Sequence, residues 1–518
     1  MKIVVLGGGS AGWMSAAYLK KTLPTSEVTL IESPSIETVG VGESTLVQLK
    51  IFCKYLGIDE EQFMKETDAS YKLSIKFTDF YDVDSGSFYY PFGTPDLSGT
   101  NMGLQDWLIK KFVFPETPLA DFAECYFPSA IMSRLNKFPS DNSVGGFNHT
   151  TSIAYHFDAS KFGAWLRDEY CLPRGVKRIV GTVTDVKTNE DGVSGLVVDD
   201  GSTLTADLYV DCTGWKSMLL GGALQEPFTS YSDMLPNNRA WAAQVPYVDK
   251  ERELEPFTNC TAIGYGWCWN IPLWSRLGTG YVYSDQHISP EEAKEEYKQY
   301  LMSNKMIIPR TKEQVDALSF KDIHMRIGIH ERTWVKNVVA IGLSAGFIEP
   351  LESNGLYTVH EFLFQLGKVL KRHTPTQWDT DLYNLANYKM FNEFAEFVAL
   401  HYALSARRDT EYWRKISKTS FMSLSKNTPS MFAAVVDARS RTFMSPERGG
   451  ATWIMSGMNH LTLESIEAEK SQIEMNDTWS NVFARELLFL DSRRDYWETE
   501  ISQMPSLFEH LSEMNYEE

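Results

Sequence analysis

Three glycines near the beginning of the sequence have the spacing of a phosphate-binding turn. Gly7, Gly9 and Gly12 fit the pattern G-x-G-x-x-G, and Glu32 follows Gly12 by twenty residues. Glycines at these positions let a backbone approach a pyrophosphate closely, and an acid at this distance can accept a hydrogen bond from a ribose hydroxyl. The pattern alone is a weak indication, because glycine-rich turns also serve packing.

Two lysines are candidates for electrophile or proton chemistry. Lys72 and Lys76 lie in the segment YKLSIKF. On an alternating strand both would share one face with Ser74, so their spacing does not distinguish one from the other. The ordinary alternative is a solvated surface pair, which is the usual state of lysines.

Two carboxylates precede a segment that could bind an anion. Glu349 and Glu352 are followed by Asn354, Gly355 and a predicted apolar helix over 356–370. A carboxylate here can take up a proton in a reaction, or it can simply be an acid favoured near a helix start. Backbone N–H groups at such a helix start form a natural anion site.

The segment GWCWNIP contains two tryptophans one residue apart. On a strand Trp267 and Trp269 point to the same face, and Ile271 and Pro272 end the segment. The two indoles therefore form a rigid wall, which either separates two compartments or fills a core, as large aromatics usually do.

The elements around the glycine turn have the order strand, turn, helix, strand. Lys2–Leu6 is a continuous apolar run typical of a parallel strand buried on both faces. Residues 11–23 have helical apolar spacing, and a second strand over 28–31 ends at Glu32. In this context the glycine pattern predicts dinucleotide binding.

Two later parts of the sequence again contain short apolar strands of the kind found in the first nucleotide-binding segment. A buried strand is predicted over 208–210 after a series of short β-rich runs, and another follows within 337–346. The fold class is therefore α/β, with a discontinuous nucleotide-binding domain. This domain is expected to span 1–373 and to consist of three parts, about 1–90, 155–220 and 336–373. A β-sheet substrate region is expected as an insertion at about 221–335, and a mainly helical region is expected over 374–518.

Composition excludes several classes of function. A net charge of −19 argues against binding a nucleic-acid backbone. The six cysteines show no C-x-x-C pair, so neither a zinc site nor a disulfide framework is expected. No apolar run reaches the roughly 18 residues of a membrane span. We expect a cytoplasmic protein without a bound metal or a membrane partner.

Five motifs, in this order, resemble those of flavin-dependent halogenases, the branch best known from tryptophan halogenases. Two of these motifs are far more specific to the family than a glycine turn, namely Trp267-x-Trp269-x-Ile271-Pro272 and Glu349-Pro-Leu-Glu352-Ser. The resemblance weakens after about residue 420. It implies a Rossmann-like FAD-binding domain of the flavin monooxygenase and halogenase type. The motifs are GGGSAGW at 7–13, GVGEST at 40–45, YKLSIKF at 71–77, GWCWNIP at 266–272 and GLSAGFIEPLESNG at 342–355.

The resemblance implies a reaction. Such enzymes use FAD as FADH2, together with O2 and chloride, bromide or iodide, to make hypohalous acid, which halogenates an aromatic substrate in a separate chamber behind the tryptophan wall. The resemblance makes Lys72 the residue that hydrogen-bonds hypohalous acid or carries it as a haloamine. It makes Glu352 the carboxylate that orients the electrophile or takes the ring proton, whereas Glu349 is structural.

The resemblance also implies binding residues. Halide is expected at Asn354 and Gly355, and substrate at Tyr90, Phe92, Ser353 and Trp453. The residues expected to bind FAD are Gly7, Gly9, Ser10, Ala11, Gly12, Glu32, Gly42, Glu43, Ser44, Val183 and Leu343.

The sequence departs from the tryptophan-specific branch near Trp453. Tryptophan-specific members bind the amino-acid group of tryptophan with a Tyr-Tyr pair and a glutamate shortly before this tryptophan. The stretch RTFMSPERGGATW has no Tyr-Tyr pair, and Glu447 does not align with that glutamate. We therefore expect an electron-rich phenol or indole as substrate and not free tryptophan. No second glycine fingerprint for a nicotinamide cofactor is evident, so a separate flavin reductase is the expected partner. A homo-oligomer is also expected.

Two alternative functions are weaker. Aromatic monooxygenases of this fold resemble one another in a Gly-Asp pair where this chain has Gly342-Leu343. A catalytically silent flavin-binding protein is disfavoured because Lys72 and Glu352 are both present.

Overall fold

The protein was examined as a computed structural model. It describes residues 1–35, 42–99, 107, 110–111, 114–141, 144–372, 374–425, 450–460 and 477–514. The chain divides into two compact units, each assembled from three segments. The first unit is Met1–Ala69, His156–Ala240 and Asp322–Glu396, and the second is Ser70–Tyr155, Trp241–Lys321 and Phe397–Glu518.

A six-stranded sheet forms the centre of the first unit. Lys2–Leu6 lies in its middle, with Ile3 paired to Val28 on one side and to Leu208 on the other, both in parallel. Four of its five residues are buried, as expected for a parallel strand covered on both faces. The strand order is Trp334–Val335, Val338–Ala340, Leu208–Asp211, Lys2–Leu6, Glu27–Glu32 and Lys177–Val180.

Helices pack around this sheet. The helix Ser10–Thr22 begins directly after the glycine turn and packs against the helix Gly355–Leu370. Gly367 makes that approach possible, because a Cβ there would lie 2.2 Å from the Tyr18 hydroxyl. The other helices of the first unit are Gln48–Leu56, Glu60–Glu66, Ala159–Trp165 with the turns Leu166–Cys171 and Leu172–Arg174, Gly214–Lys216, Met218–Ala223, Gly342–Ser344, Pro350–Glu352 and most of Gln377–Ala403.

Smaller antiparallel pairings complete the first unit. Glu43 and Ser44 pair with Phe157 and His156. Two three-stranded sheets have the orders Thr203–Leu204, Gly192–Val198, Val183–Asn189 and Phe228–Ser230, Gly328–His330, Gly346–Phe347.

A seven-stranded sheet dominates the second unit. Its central strands Phe257–Ile263, Gly266–Pro272 and Leu277–Tyr283 are buried at every residue, so both faces of the sheet are covered. A short separate strand, Ser70–Lys72, precedes Ser74–Thr78. The strand order is Lys321–His324, Arg239–Val245, Leu277–Tyr283, Gly266–Pro272, Phe257–Ile263, Ser74–Thr78 and Ser87–Pro91.

Helices of the second unit bury aromatic clusters. Tyr281 and Tyr283 of the sheet pack with Tyr297 and Tyr300 of the helix Pro290–Leu301. The other helices are Asp121–Tyr126, Pro128–Arg134, Lys250–Glu253, Lys312–Asp316, Glu411–Ser425, Gly450–Gly457, Asp477–Ser502 and Leu507–Glu513. None of the helices in the described residues is long and apolar enough to cross a membrane.

Candidate active site

Two positions of the glycine turn in the first unit require glycine. Gly7 has φ +118°, and a Cβ there would lie 2.3 Å from the carbonyl oxygen of Cys212. A Cβ on Gly12 would lie 1.9 Å from the carbonyl oxygen of Gly7. Gly9 differs, since a Cβ there would meet no atom within 4 Å among the described residues. The start of the helix Ser10–Thr22 therefore presents open backbone N–H groups, which suit a phosphate.

Glu32 lies beside this turn at the end of its strand. Its Oε1 accepts a hydrogen bond from Arg178 Nε at 2.6 Å. A Cβ on Gly8 would lie 1.7 Å from Glu32 Oε2, so the absence of a side chain at Gly8 makes room for the carboxylate. The backbone N–H of Gly181 donates to the Glu32 carbonyl at 3.0 Å, which brings the start of the strand Val183–Asn189 to the same edge of the sheet.

Leu343 lies in a turn that touches the start of the first helix. Gly342 has φ +71°, and a Cβ there would lie 2.9 Å from the Cβ of Ala11. On the other side of the helix start, Ser10 Oγ donates to the carbonyl oxygen of Ala159 at 3.0 Å. The structure thus brings Ser10, Ala11 and Leu343 to the same end of the sheet as the glycine turn.

A two-residue strand packs on the turn that precedes the helix Gly355–Leu370. Gly42, with φ +106°, leads into Glu43 and Ser44. The hydroxyls of Ser44 and Ser353 are 3.0 Å apart, and a Cβ on Gly355 would lie 3.9 Å from Glu43 Oε2. Residues predicted to bind FAD and residues predicted to bind halide therefore adjoin each other within the first unit.

The two glutamates before this helix have different surroundings. Glu349 is fully buried, and its Oε2 accepts a hydrogen bond from Asn237 Nδ2 at 2.8 Å. Glu352, also buried, ends the turn Pro350–Glu352, and Ser353 with φ +58° then reverses the chain. The first turn of the following helix, all of it described, carries no acidic residue. The helix therefore adds no carboxylate of its own beside its first N–H groups, which can bind an anion.

The second unit separates the two candidate lysines by burial. Lys72 is 0% exposed, and its Nζ lies 4.8 Å from the centre of the Phe92 ring. Lys76 is partly exposed, with its Nζ 5.3 Å from the centre of the Phe257 ring and 5.9 Å from that of Tyr89. The continuous strand over both lysines predicted from the sequence is interrupted at Leu73, and the two lysines lie on separate strands.

The predicted substrate aromatics belong to one region of the second unit. Tyr90 and Phe92 make an edge-to-face contact with ring centres 6.4 Å apart. Trp453 is buried against Phe122 and Phe127, with ring centres 5.1 Å and 5.0 Å away, in a cluster on which Tyr90 also packs. Trp453 therefore contributes to the packing of that cluster. Glu447 lies outside the described residues.

The tryptophan pair lies on a buried central strand. The ring centres of Trp267 and Trp269 are 6.2 Å apart, and the Trp269 ring covers Gly280, where a Cβ would come within 2.2 Å. Ile271 and Pro272 complete the strand. The carbonyl oxygen of Pro272 accepts a hydrogen bond from Ser70 Oγ, which ties this wall to the short strand that carries Lys72.

Known proteins identify the family to which these residues belong. A family model described as tryptophan halogenase matches residues 2–485. The chain belongs to the tryptophan halogenase family. This halogenase is 38% identical over 435 residues to tryptophan 6-halogenase SttH of Streptomyces toxytricini, and the match covers 80% of each chain.

Solved structures confirm the fold class of the halogenase. The apo structure of VirX1 has a TM-score of 0.88 and 34% identity and covers 100% of this chain and 99% of its own. Xcc4156, a flavin-dependent halogenase from Xanthomonas campestris, has a TM-score of 0.82 and 28% identity, with 99% of this chain and 98% of its own covered. The α/β Rossmann-like prediction is confirmed, and the chain is an enzyme, a flavin-dependent halogenase. The monooxygenase and silent-protein alternatives are not favoured.

The first unit of the halogenase fits FAD. The open face at Gly9 suits a phosphate, and the Glu32 carboxylate beside Gly8 suits a ribose hydroxyl. Enzymes of this family use FAD as FADH2 with O2 and halide, an aromatic substrate and a separate flavin reductase, as the sequence predicted.

Asp211 is a residue to which the sequence analysis assigned no role. Its carboxylate accepts hydrogen bonds from the backbone N–H groups of Thr213, Leu219 and Leu220, and the hydroxyl of Ser344 donates to its carbonyl oxygen. Asp211 therefore joins the end of a central strand to the turn that carries Leu343. Its position directly after the buried strand predicted over 208–210, at the end of the observed strand Leu208–Asp211, was the available signal.

Glu43 is predicted to make stability depend on pH. Burial, and next the neighbouring Asp158, raise the pKa of the Glu43 carboxyl from 4.5 to about 7. The native state then binds this proton more tightly than the unfolded state, so stability falls as the pH rises from about 4.5 to about 7, by up to roughly 3 kcal/mol. Thermal unfolding of ligand-free Glu43→Gln should show a higher midpoint than wild type at pH 8 and no gain at pH 4.

Glu61→Gln is the matched control for this experiment. Its side chain is largely exposed and lies on the helix Glu60–Glu66 of the same unit. We expect it to change the midpoint little at either pH. A gain for Glu43→Gln that is equal at pH 4 and pH 8 would contradict the assignment.

Proposed function

We propose that this halogenase uses hypohalous acid to halogenate an electron-rich aromatic ring, with Lys72 delivering the halogen. The observation that carries the proposal is the burial of Lys72 against Phe92, in contrast to the partly exposed Lys76. Reduced FAD, when bound, supplies the two electrons that O2 and halide need to yield hypohalous acid.

Lys72 suits the transfer step because its ammonium can donate a hydrogen bond to the oxygen of hypohalous acid. That bond draws electrons from the halogen, which the aromatic ring then attacks. The new bond is carbon to halogen, the oxygen–halogen bond breaks with its electron pair on oxygen, and the oxygen takes a proton from the Lys72 ammonium and leaves as water. Glu352, a buried carboxylate, either orients the electrophile or accepts the ring proton that is lost when aromaticity returns.

We assign FAD to the residues around the glycine turn and halide to the turn before Gly355–Leu370. The FAD set is supported by the adjoining positions of Gly9, Glu32, Ala11 and Leu343 at one end of the sheet. The halide site is supported by the N–H groups of Asn354 and Gly355 at the start of a helix without acidic residues in its first turn.

Bromide and iodide are proposed to be accepted as well as chloride. Oxidation becomes easier from chloride to bromide to iodide, and a backbone amide site selects an anion by geometry more than by strong charge. Competition between halides in one reaction measures the preference. Formation of chlorinated product alone would contradict the proposal that bromide and iodide are accepted.

The preferred substrate is proposed to be a neutral phenol or indole, held by Tyr90, Phe92, Ser353 and Trp453, with Trp267 and Trp269 forming a wall of its chamber. A free amino acid brings two charges, and an unpaired charge in a semi-buried chamber is costly. The stretch before Trp453 lacks the Tyr-Tyr pair that would serve those charges. Relatives named for tryptophan make free tryptophan the natural competitor in the assay.

A reductase-coupled assay tests this function. The purified protein is given FAD, NADH, O2, each halide and a generic flavin reductase, with a panel of phenols and indoles beside free tryptophan, and products are identified by mass spectrometry. We expect halogenated product only when the reductase is present. Product formed from NADH without added reductase would contradict the need for a separate flavin reductase. If free tryptophan had the highest kcat/KM of the panel, the proposed substrate class would be contradicted.

We also propose that the enzyme is a cytoplasmic homo-oligomer. Three apolar side chains on one face of the helix Gln377–Ala403 are well exposed, namely Trp378 at 63%, Leu382 at 46% and Leu385 at 67%. Their spacing of four and three residues forms a stripe that a second copy could cover. Sedimentation of the purified protein should give a mass above 59.0 kDa, the mass of one chain.

A further inference from the structure

Phe92 is held in a fixed position relative to Lys72 by the backbone. It directly follows the strand Ser87–Pro91, and its backbone N–H donates to the carbonyl oxygen of Leu73, the residue after Lys72, at 2.9 Å. Its own carbonyl oxygen accepts a hydrogen bond from Ser129 Oγ at 3.2 Å. The ring is 7% exposed, so the packing around it leaves little freedom. The 4.8 Å distance from Lys72 Nζ to the ring centre is therefore set by the fold.

The face of an aromatic ring attracts an ammonium group. The attraction arises from the negative quadrupole of the ring face, acts within about 6 Å of the ring centre, and grows when both partners are removed from water. A neutral amine carries no net charge and gains much less from the same contact. Complete burial by itself disfavours the charged form of Lys72, and the contact with Phe92 offsets part of that cost.

We propose that Phe92 is a positioning residue that holds Lys72 in its ammonium form and directs its N–H groups at hypohalous acid. This inference rests on the proposed function, because it deepens the role of Lys72 in that reaction. Of the two roles open to a lysine, it selects the hydrogen-bond donor. The haloamine role requires a neutral amine, which would exchange one N–H hydrogen for halogen and release water.

This role differs from that of a substrate wall in its kinetic signature. A wall that only binds the ring contributes equally to the ground state and the transition state, so its loss raises KM and leaves kcat unchanged. A residue that positions Lys72 contributes to the transfer step, so its loss lowers kcat. Hypohalous acid that is not used then escapes to solution, and less product is formed for each reduced flavin consumed.

Phe92→Leu is the decisive variant, because leucine keeps an apolar side chain and removes the aromatic face. We expect kcat to fall about 10- to 30-fold, the fold-change that corresponds to a desolvated cation–aromatic contact, in addition to the rise in KM that loss of a substrate contact causes. A soluble scavenger should capture correspondingly more hypohalous acid. Phe92→Tyr, which retains the ring face, should restore kcat to within about threefold of wild type.

Phe88→Leu is the matched control, on the strand Ser87–Pro91 that Phe92 follows. Phe88 is also buried, and its ring stacks on Phe77 with ring centres 5.1 Å apart. Phe88 packs the core beside the strand. Its replacement should therefore leave unchanged the ratio of halogenated product to hypohalous acid that escapes to solution. Thermal unfolding of each variant shows whether the fold is retained. If Phe92→Leu fails to fold, Phe92→Met, which fills a similar volume without an aromatic face, replaces it.

The outcomes separate this inference from the proposed function. If wild type yields no halogenated product under reductase-coupled conditions, the proposed function fails. If wild type is active and a folded Phe92→Leu or Phe92→Met enzyme keeps kcat within threefold, or if Phe92→Tyr is as impaired as Phe92→Leu, the positioning role is overturned while the function stands. A rise in KM alone would make Phe92 a substrate wall.

Discussion

Replacing Lys72 with alanine is expected to reduce halogenation by about 10³-fold or more, the range seen when a group that donates or transfers protons is lost. Oxidation of reduced flavin and release of hydrogen peroxide should continue at wild-type rates, because Lys72 acts after hypohalous acid has formed and lies in the second unit, whereas the residues that fit FAD lie in the first. Both rates can be measured in one reductase-coupled reaction, with product followed by mass spectrometry and flavin by absorbance.

Lys76→Ala is the control for this prediction. Lys76 is the other lysine of the segment, lies four residues further along, and is partly exposed over Phe257 and Tyr89. Its loss should leave most of the activity. Because Lys72 is buried, a second variant, Lys72→Leu, keeps a side chain in its place, and thermal unfolding of both variants shows whether the fold is retained. If Lys76→Ala were inactive and Lys72→Ala active, the roles of the two lysines would be reversed.

The centre of the first unit was predictable because its signals are local. An apolar run predicted the strand Lys2–Leu6, and glycine spacing followed by helical periodicity predicted a helix over 11–23, which in the structure spans Ser10–Thr22. The clash that a Cβ on Gly12 would make with the carbonyl oxygen of Gly7 explains why glycine is required there. Side-chain pattern and backbone stereochemistry act here within about twenty residues of each other, so one sequence is enough.

Properties that depend on distant contacts were not predictable. Alternation placed Lys72 and Lys76 on one continuous strand, whereas the structure interrupts that strand at Leu73 and buries only Lys72 completely. The Phe92 ring beside Lys72 is placed by a backbone hydrogen bond to Leu73 and a side-chain hydrogen bond from Ser129. No periodicity within YKLSIKF carries that information.

The surroundings of Trp453 show the same limit. Its ring lies against Phe122 and Phe127, more than 300 residues earlier in the chain. The sequence analysis placed an aromatic ring in the substrate region but had no means of finding these partners. The division into units is non-local as well, since each unit is assembled from three separated segments. The sequence analysis placed the nucleotide-binding domain in three separated parts, but the residues that each distant segment contacts are decided by tertiary packing and do not follow from composition or spacing.

Glu352→Gln is expected to lower kcat by about 10²-fold, the lower end of the contribution of a general acid or base. Glutamine keeps the size of the side chain and removes its ability to accept a proton or carry a charge. The residue is buried at the end of the turn Pro350–Glu352, and Ser353 reverses the chain directly after it, so the position of the carboxylate is set by the fold. A preorganised carboxylate of this kind needs no rearrangement when the ring proton is released.

Glu349→Gln distinguishes a chemical role from a structural one. Glu349 is three residues earlier, equally buried, and its Oε2 accepts a hydrogen bond from Asn237, which the carbonyl oxygen of a glutamine can also accept. Its replacement should therefore leave kcat within a few-fold of wild type. Single-turnover halogenation with a fixed amount of reduced flavin measures both variants in the same way. Near-normal turnover of Glu352→Gln would remove this carboxylate from the reaction, and equal losses in the two variants would assign both glutamates to holding the turn before Gly355–Leu370 in place.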